Sequence, residues 1–381
     1  MKHLFLTGFV AIITFVPGLA AAGERYDFYD SVRGLGMGNA VVSTVDEDSA
    51  IWLNPAALGR VRGDILTLAN PQADIGQETF PMIGASVLDS INPQDTLNDC
   101  NAHPNDHFHQ REQISPSFVM TNFGVGVLDK YQTDAYVVPG TTSNTFYYNY
   151  TNDQAAVMAF DLPLFSGILK IGANIRAIDR TESHRNDIPT TSKGLTGTTV
   201  INGSTVFSEG FGIASDMGAI VTLPVEYLPT FAAVWRDIGT TRYDINHGSQ
   251  YSTTNRPAST PSTVDVGMSI SPILSPGVRL VLAAQLSDIF QNVEPPSIYE
   301  SPSIVRRLHA GFELNFDDHM FIRGGYNQGY WTAGFEMDVG NSQLQLASYG
   351  EEIASVPLIG SGQTYTPIQD RRFVVEYAYR Y

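Results

Sequence analysis

Apolar and polar residues alternate one by one along much of this chain. In "GILKIGANIRAID", Leu169, Ile171, Ala173, Ile175 and Ala177 fall on one face, and Lys170, Gly172, Asn174 and Arg176 on the other. "RRLHAGFELNF" sets Leu308, Ala310, Phe312, Leu314 and Phe316 against Arg307, His309, Gly311, Glu313 and Asn315. "YWTAGFEMDV" and the closing "RRFVVEYAYRY" repeat the pattern, with Phe335, Met337 and Val375 in the apolar set. Successive side chains of a strand point to opposite faces, so this period means strands; a helical period of 3.6 does not recur.

A β-sandwich alternates in the same way, and connection lengths separate the two architectures. Strands are predicted near 113–121, 123–132, 146–161, 167–178, 209–222, 227–238, 263–271, 277–288, 306–316, 319–327, 330–339, 342–350 and 371–381. Every second connection is short: "LPLFSG", "LPVEY", "SPILSPG", "FDDH" and "GNS". The others, 89–112, 133–145, 179–208, 239–262, 289–305 and 351–370, are long and polar, and only "NQG" at 327–329 breaks the rule. Short turns on one side and long loops on the other are the arrangement of a transmembrane barrel. An even count needs one more strand before residue 89, from "GDILTLAN" at 63–70 or "PMIGASVLD" at 81–89. The expected fold is all-β, a transmembrane antiparallel β-barrel of about 14 strands.

The amino terminus agrees with that destination. Lys2, the apolar run Leu4 to Val16 and Ala20-Ala21-Ala22 read as a signal peptide over 1–22, cleaved before Gly23. The apolar run is short of the ~20 residues a spanning helix needs. Charged residues make up 16% of the chain, below the ~25% usual for soluble domains, as a lipid-facing wall requires. The net charge of −17 excludes nucleic acid as a partner, because phosphate binding needs a basic stripe. Cys100 is the only cysteine, so no intramolecular disulfide is expected. The predicted location is the outer membrane of a Gram-negative-type bacterium, with outer-membrane lipid around the wall.

"GLGMGNAVVS" precedes the first strand. Its spacing, Gly34, Gly36, Gly38, is G-x-G-x-G, not the G-x-G-x-x-G of a dinucleotide loop, and charged residues come before it instead of a buried strand. Glycine there permits positive φ angles and close backbone approach. Asn54-Pro55 favours a tight turn. With Asp48-Ser49-Ala50 and Asn54-Pro55-Ala56-Ala57-Leu58, these stretches resemble the FadL-like outer-membrane proteins, which include long-chain fatty-acid and hydrocarbon transporters. "GFGIASDMGAIVTLP" at 210–224, "RDIG" at 236–239 and "FIRGGYNQGYWTAGFEMDVG" at 321–340 look closer to the PorV- and TraF-like branch. The resemblance implies that 23–62 folds as a hatch inside a barrel formed by 63–381, with Gly34, Gly36, Gly38, Asn54, Pro55 and Ala56 as its characteristic residues. It also implies passive passage of small hydrophobic molecules. The PorV-like alternative is a barrel that binds a protein partner in secretion or surface assembly.

The polar strand faces carry charges of both signs. Lys170, Arg176, Asp216, Asp265, Arg279, Glu313, Arg323, Glu336, Asp338, Arg372 and Glu376 are predicted to point inward and to pair with one another and with the hatch. The short turn at 317–319 sets Glu313 opposite Arg323, and the turn at 328–329 sets Glu336 diagonal to it. Enzyme chemistry is not expected: there is no G-x-S-x-G, and His247 and His309 have no recognisable partner spacing. No cofactor is implied. In "CNAHPNDHFHQ", Cys100, His103, His107 and His109 match no standard zinc spacing and read as a solvated outer loop rather than a metal site.

Overall fold

In a computed structural model the described residues are 24–82, 93–140, 144–190, 207–245, 256–295, 297–299, 303–354, 357, 359–362 and 364–381. The proposed signal peptide, 1–22, lies outside them.

The chain forms a closed antiparallel barrel of 14 strands. The first, β1, is Ile65–Ala69 continued by Gln72–Gly76, and β2 is Phe108–Ile114 continued by Ser117–Met120. Then come β3 Phe123–Val138, β4 Asn144–Leu164, β5 Leu169–Thr190, β6 Ser208–Thr222 and β7 Thr230–Arg236. β8 is Thr263–Ile270 continued by Ile273–Ser275, and β9 is Val278–Leu286. β10 Leu308–Phe316, β11 Met320–Asn327, β12 Tyr330–Val339, β13 Ser342–Glu352 and β14 Gln369–Arg380 complete the wall. Each strand pairs with the next in sequence, and β14 closes onto β1 through Thr67↔Arg380 and Phe373↔Ile75. Closure removes both sheet edges, which lipid would leave without hydrogen bonds.

Alternation sorts the two faces. On β10, Leu308 and Phe312 are exposed outward, whereas His309, Glu313 and Asn315 are buried inward. Met337 and Val375 face outward as well, in a band with Met158, Phe160, Leu162, Ile171 and Ile175. No described helix is long and apolar enough to cross a membrane.

Several boundaries differ from the sequence reading. The first strand comes from the 63–70 stretch and resumes after Asn70-Pro71; Pro81 and Met82 lie in a turn, and 83–89 fall outside the described residues. The strand expected at 113–121 begins earlier, at Phe108, and is interrupted at Ser115-Pro116, where proline cannot donate to the ladder. The connections 133–145 and 179–208 are partly strand, since β3 runs to Val138, β4 starts at Asn144 and β5 runs to Thr190. The strand read at 146–161, which holds most of "TFYYNYTN", lies within β4. In the structure Phe146, Tyr148 and Tyr150 are buried on the outward face of this projecting wall. They pack with Leu97 and Cys100 of a helix, Pro93–Ala102, in the long connection between β1 and β2.

Residues 24–62 pack against inward side chains of the wall. Helix α1 (Val32–Gly36) lies against β11 to β14, and helix α2 (Ala50–Leu53) against β3 and β4. A 3-10 turn, Pro55–Arg60, lies against β4, β5 and β6. Ile51, Trp52, Ala56 and Leu58 pack with inward wall residues Val119, Leu128, Val157, Ile178, Ile220 and Val234 in one core. This segment approaches the wall where the wall has no side chains. A Cβ on Gly311 would lie 2.1 Å from the Met37 carbonyl oxygen, and one on Gly325 would lie 2.5 Å from the Gly38 nitrogen. A Cβ on Gly172 would lie 2.3 Å from the Ala56 nitrogen.

Replacing Gly325 by Val therefore forces the hatch backbone away from β11. Overpacking of this kind costs about 1–3 kcal/mol, occasionally more. The folded barrel should still form, but the 24–62 segment should become sensitive to protease. Wild-type protection in that variant would contradict the close packing described here.

Candidate functional site

The glycine run and the Asn-Pro-Ala motif play separate parts. Gly34 and Gly36 sit within α1 with ordinary helical backbone; their role is proximity, since a Cβ on Gly36 would meet the Gly334 Cα of β12 at 3.0 Å. Only Gly38 of the three has positive φ, at 65°, and it also lies against Ala310 and Tyr326. Asn54 caps the 3-10 turn: its Oδ1 accepts from the Ala56 N–H at 3.1 Å, with Pro55 at the first position. Its Nδ2 donates to the Val42 carbonyl at 2.8 Å, tying two hatch passes together.

Two charge clusters fasten this segment to the wall. In the first, Arg323 donates to Glu313 at 2.7 Å and also pairs with Glu336, so the three residues meet in the predicted register. Arg33 of α1 completes the cluster, donating to both Glu313 oxygens at 2.9 and 3.0 Å and to Asp46 at 2.6 Å. Gln343 donates to the other Glu336 oxygen at 2.7 Å. In the second cluster Arg176 donates to Asp216 at 2.7 Å and to Asp237 at 3.0 Å. Asn174 links Asp216 to the Ile51 carbonyl of the hatch, with bonds of 2.9 and 3.0 Å. Arg236 pairs with Asp265 at 2.9 Å and reaches the Trp52 carbonyl. The two predicted charge sets thus lie in separate places. Sequence reasoning missed Arg33 and Asp237, although Arg33 directly precedes the glycine run and needed a buried partner.

Beside the second cluster is a cavity of about 270 Å³. Phe28, Tyr29, Trp52 and Leu53 of the hatch line one side, and Thr151, Arg176, Arg236 and His309 line the wall side. Tyr29 stacks on Trp52 at 5.8 Å, Phe28 is tilted against it at 5.9 Å, and the Trp52 indole donates to Ser115 at 2.9 Å. The Arg176 guanidinium lies 4.5 Å from the Phe28 ring centre. The result is an aromatic floor facing a wall rich in charged side chains, among them Arg176, Arg180, Glu182, Arg236 and Asp237.

The Cys/His stretch is not a solvated loop. His107 and His109 are buried at the start of β2, and Cys100 is buried beneath its helix; His103 alone of the four is substantially open to solvent. Two pulls separate them: the helix turns its apolar side onto the outward face of β3 and β4, while the strand carries His109 to the inward face. Burial, with Asp99 and Asp106 nearby, pushes the Cys100 thiol up to about 12.

No family model matches the sequence, and no curated relative matches it. Among solved structures, the chain is similar to a TodX deltaS2S3 mutant, a monoaromatic hydrocarbon channel, with a TM-score of 0.51 at 10% identity over 91% of this chain and 97% of that one. It is also similar to the P. putida toluene transporter TodX (TM-score 0.49, 9% identity, 92% and 98% covered). The Ralstonia pickettii toluene transporter TbuX gives 0.48 and 12% over 92% and 98%. The first of these comparisons establishes the architecture: the chain has the FadL-like fold.

Two outcomes test the site as described. Arg323→Ala leaves Glu336 buried without its guanidinium, while Glu313 keeps Arg33; breaking such a pair costs about 3–5 kcal/mol. Small-solute leakage through reconstituted barrels should rise, and unchanged leakage would show that the cluster does not hold the hatch. Cys100, protonated at pH 8, should resist iodoacetamide in the folded chain and react once it is unfolded. Rapid labelling of folded protein would place the thiol elsewhere.

Proposed function

We propose that this chain is an outer-membrane barrel that lets small hydrophobic molecules pass without an energy source, and that its cargo is of ring size. The observation that carries this reading is the cavity of about 270 Å³ floored by Phe28, Tyr29 and Trp52. An apolar cavity of roughly 150 Å³ already holds benzene, so this one accommodates a single substituted ring. Its polar wall side favours a cargo with one hydrogen-bonding substituent over a bare hydrocarbon. The monoaromatic hydrocarbon channel of like fold agrees with the class of cargo. Transport of this kind needs no nucleophile and no cofactor, in keeping with a non-enzyme.

One feature favours a second reading, a barrel that binds a protein partner in secretion or surface assembly. β4 has 21 residues and β5 has 22, about twice the 9–11 that crossing a bilayer takes, and the excess stands on the long-loop side as a wall. A stoichiometric complex lost when that wall is cut back, with ring uptake unchanged, would favour the partner role.

Thr151 lies on β4 and faces the cavity. Thr151→Phe should place a ring in the cargo's space. In proteoliposomes the entry of toluene- or cresol-sized compounds should fall several-fold while the barrel inserts normally. Uptake equal to wild type would count against this cavity as part of the route.

A further inference from the structure

The short turns after β4, β6, β8 and β10 form a continuous rim, because the backbone of each hairpin is bonded to the next. The Thr222 N–H donates to the Ile168 carbonyl at 2.9 Å and Ser271 to Tyr227 at 2.7 Å. Asp317 donates to Gly277, and Asp338, just before the turn after β12, to His319, both at 2.8 Å. The rim has two unlike sectors. Residues 163–168, 223–229 and 271–277 close three neighbouring hairpins and contain a single charged residue, Glu226. They leave Phe165 (74%), Leu223, Val225, Leu228, Ile273 (76%) and Leu274 exposed. The turns after β10 and β12 carry Asp317, Asp318, His319 and Asn341 instead.

A contiguous exposed apolar patch marks a contact with a partner or a membrane. Continuity with the wall indicates which. On β4 the outward face is polar at Asn152 and Gln154 and apolar at Ala156, Met158, Phe160 and Leu162. Leu164 shares that face, since the Leu164–Leu169 pair lies two places from the Leu162–Ile171 pair. Ala155 to Phe165 is 11 residues, and a tilted strand takes about 9–11 to cross a bilayer. On β12 the outward face runs from Trp331 to Val339, 9 residues, and ends before the turn at Gly340 and Asn341. The apolar band thus takes in the hairpin tip in one sector and stops at the strand end in the other. Tyrosines, which settle at the membrane–water boundary, shift in the same sense. Tyr227 lies in the tip of its hairpin, whereas Tyr377 and Tyr379 lie within β14.

We propose that the turns 163–168, 223–229 and 271–277 sink into the headgroup–acyl boundary of the leaflet on the short-turn side, with phospholipid as their partner. The turns at 317–319 and 340–341 stay in water. This rests on the reading of the chain as an outer-membrane barrel. Glu226 is exposed at the tip of its turn, where headgroup water reaches it. The barrel then sits deepest along β4 to β9, the sector that holds the Pro55–Arg60 turn of the hatch against β4, β5 and β6.

The test uses the full barrel in vesicles of phosphatidylethanolamine and phosphatidylglycerol. Phe165→Cys, Val225→Cys, Asp318→Cys and Met337→Cys, each combined with Cys100→Ser, carry a nitroxide label. Collisions with oxygen, which concentrates in lipid, are compared with collisions with a water-soluble nickel chelate. The labels at Phe165 and Val225 should favour oxygen several-fold more than the label at Asp318. The label at Met337, on the wall, should favour oxygen in any membrane barrel. If Met337 reports lipid while Phe165 and Val225 match Asp318, the turns lie in water. The proposal then falls, the membrane reading stands, and the patch is left to a soluble protein. A Met337 label in water would remove the membrane reading and the proposal with it. Folding of each variant is read from its heat-modifiable mobility on gels.

Discussion

A backbone that crosses lipid has no water to bond with, so every amide must find another amide. This chain meets that demand by joining β14 to β1 and leaving no edge. Much else follows from closure. Outward side chains must be apolar, inward ones are free to be polar, and a ring of 14 strands encloses more space than inward side chains alone fill. The segment before β1 occupies that space.

Filling a barrel with chain brings two difficulties, and the wall answers each with a different residue type. Backbone pressed on backbone leaves no room for Cβ atoms, and Gly172, Gly311, Gly325 and Gly334 stand where the hatch comes nearest. Buried charge needs partners, and the arginines of wall and hatch divide the carboxylates among them. Arg33 and Arg323 share Glu313, while Arg176 spans Asp216 and Asp237. The cavity lies beside the Arg176 cluster, against the aromatic residues of the hatch.

Much of this was legible because strand residues speak individually. The strand 330–339 was read with the same bounds as β12, since Trp331, Phe335 and Met337 alternate with Thr332, Glu336 and Asp338 without interruption. The Glu313–Arg323 register followed from one short turn. The projecting ends of β3 (133–138) and β5 (179–190) were not legible: polar residues such as Thr133, Asp134 and Glu182 serve equally in a loop and in a wall, and nothing local distinguishes the two. The hidden place of His109 was not legible either. Its strand assignment depends on Phe108 to Ile114 pairing with Asp129 to Ala135, and 89–112 and 133–145 both read as long polar connections.

The hatch contacts also bear on the order of assembly. Arg33 and Glu313 are 280 positions apart, Gly36 and Thr332 are 296 apart, and Glu24 and Arg372 are 348 apart. Most wall pairings, by contrast, join strands that follow directly in sequence. Contacts of low sequence separation form early, and those that close long loops come late. The segment that precedes the wall in sequence therefore receives some of its partners last, when the final strands arrive and the seam between β1 and β14 closes around it.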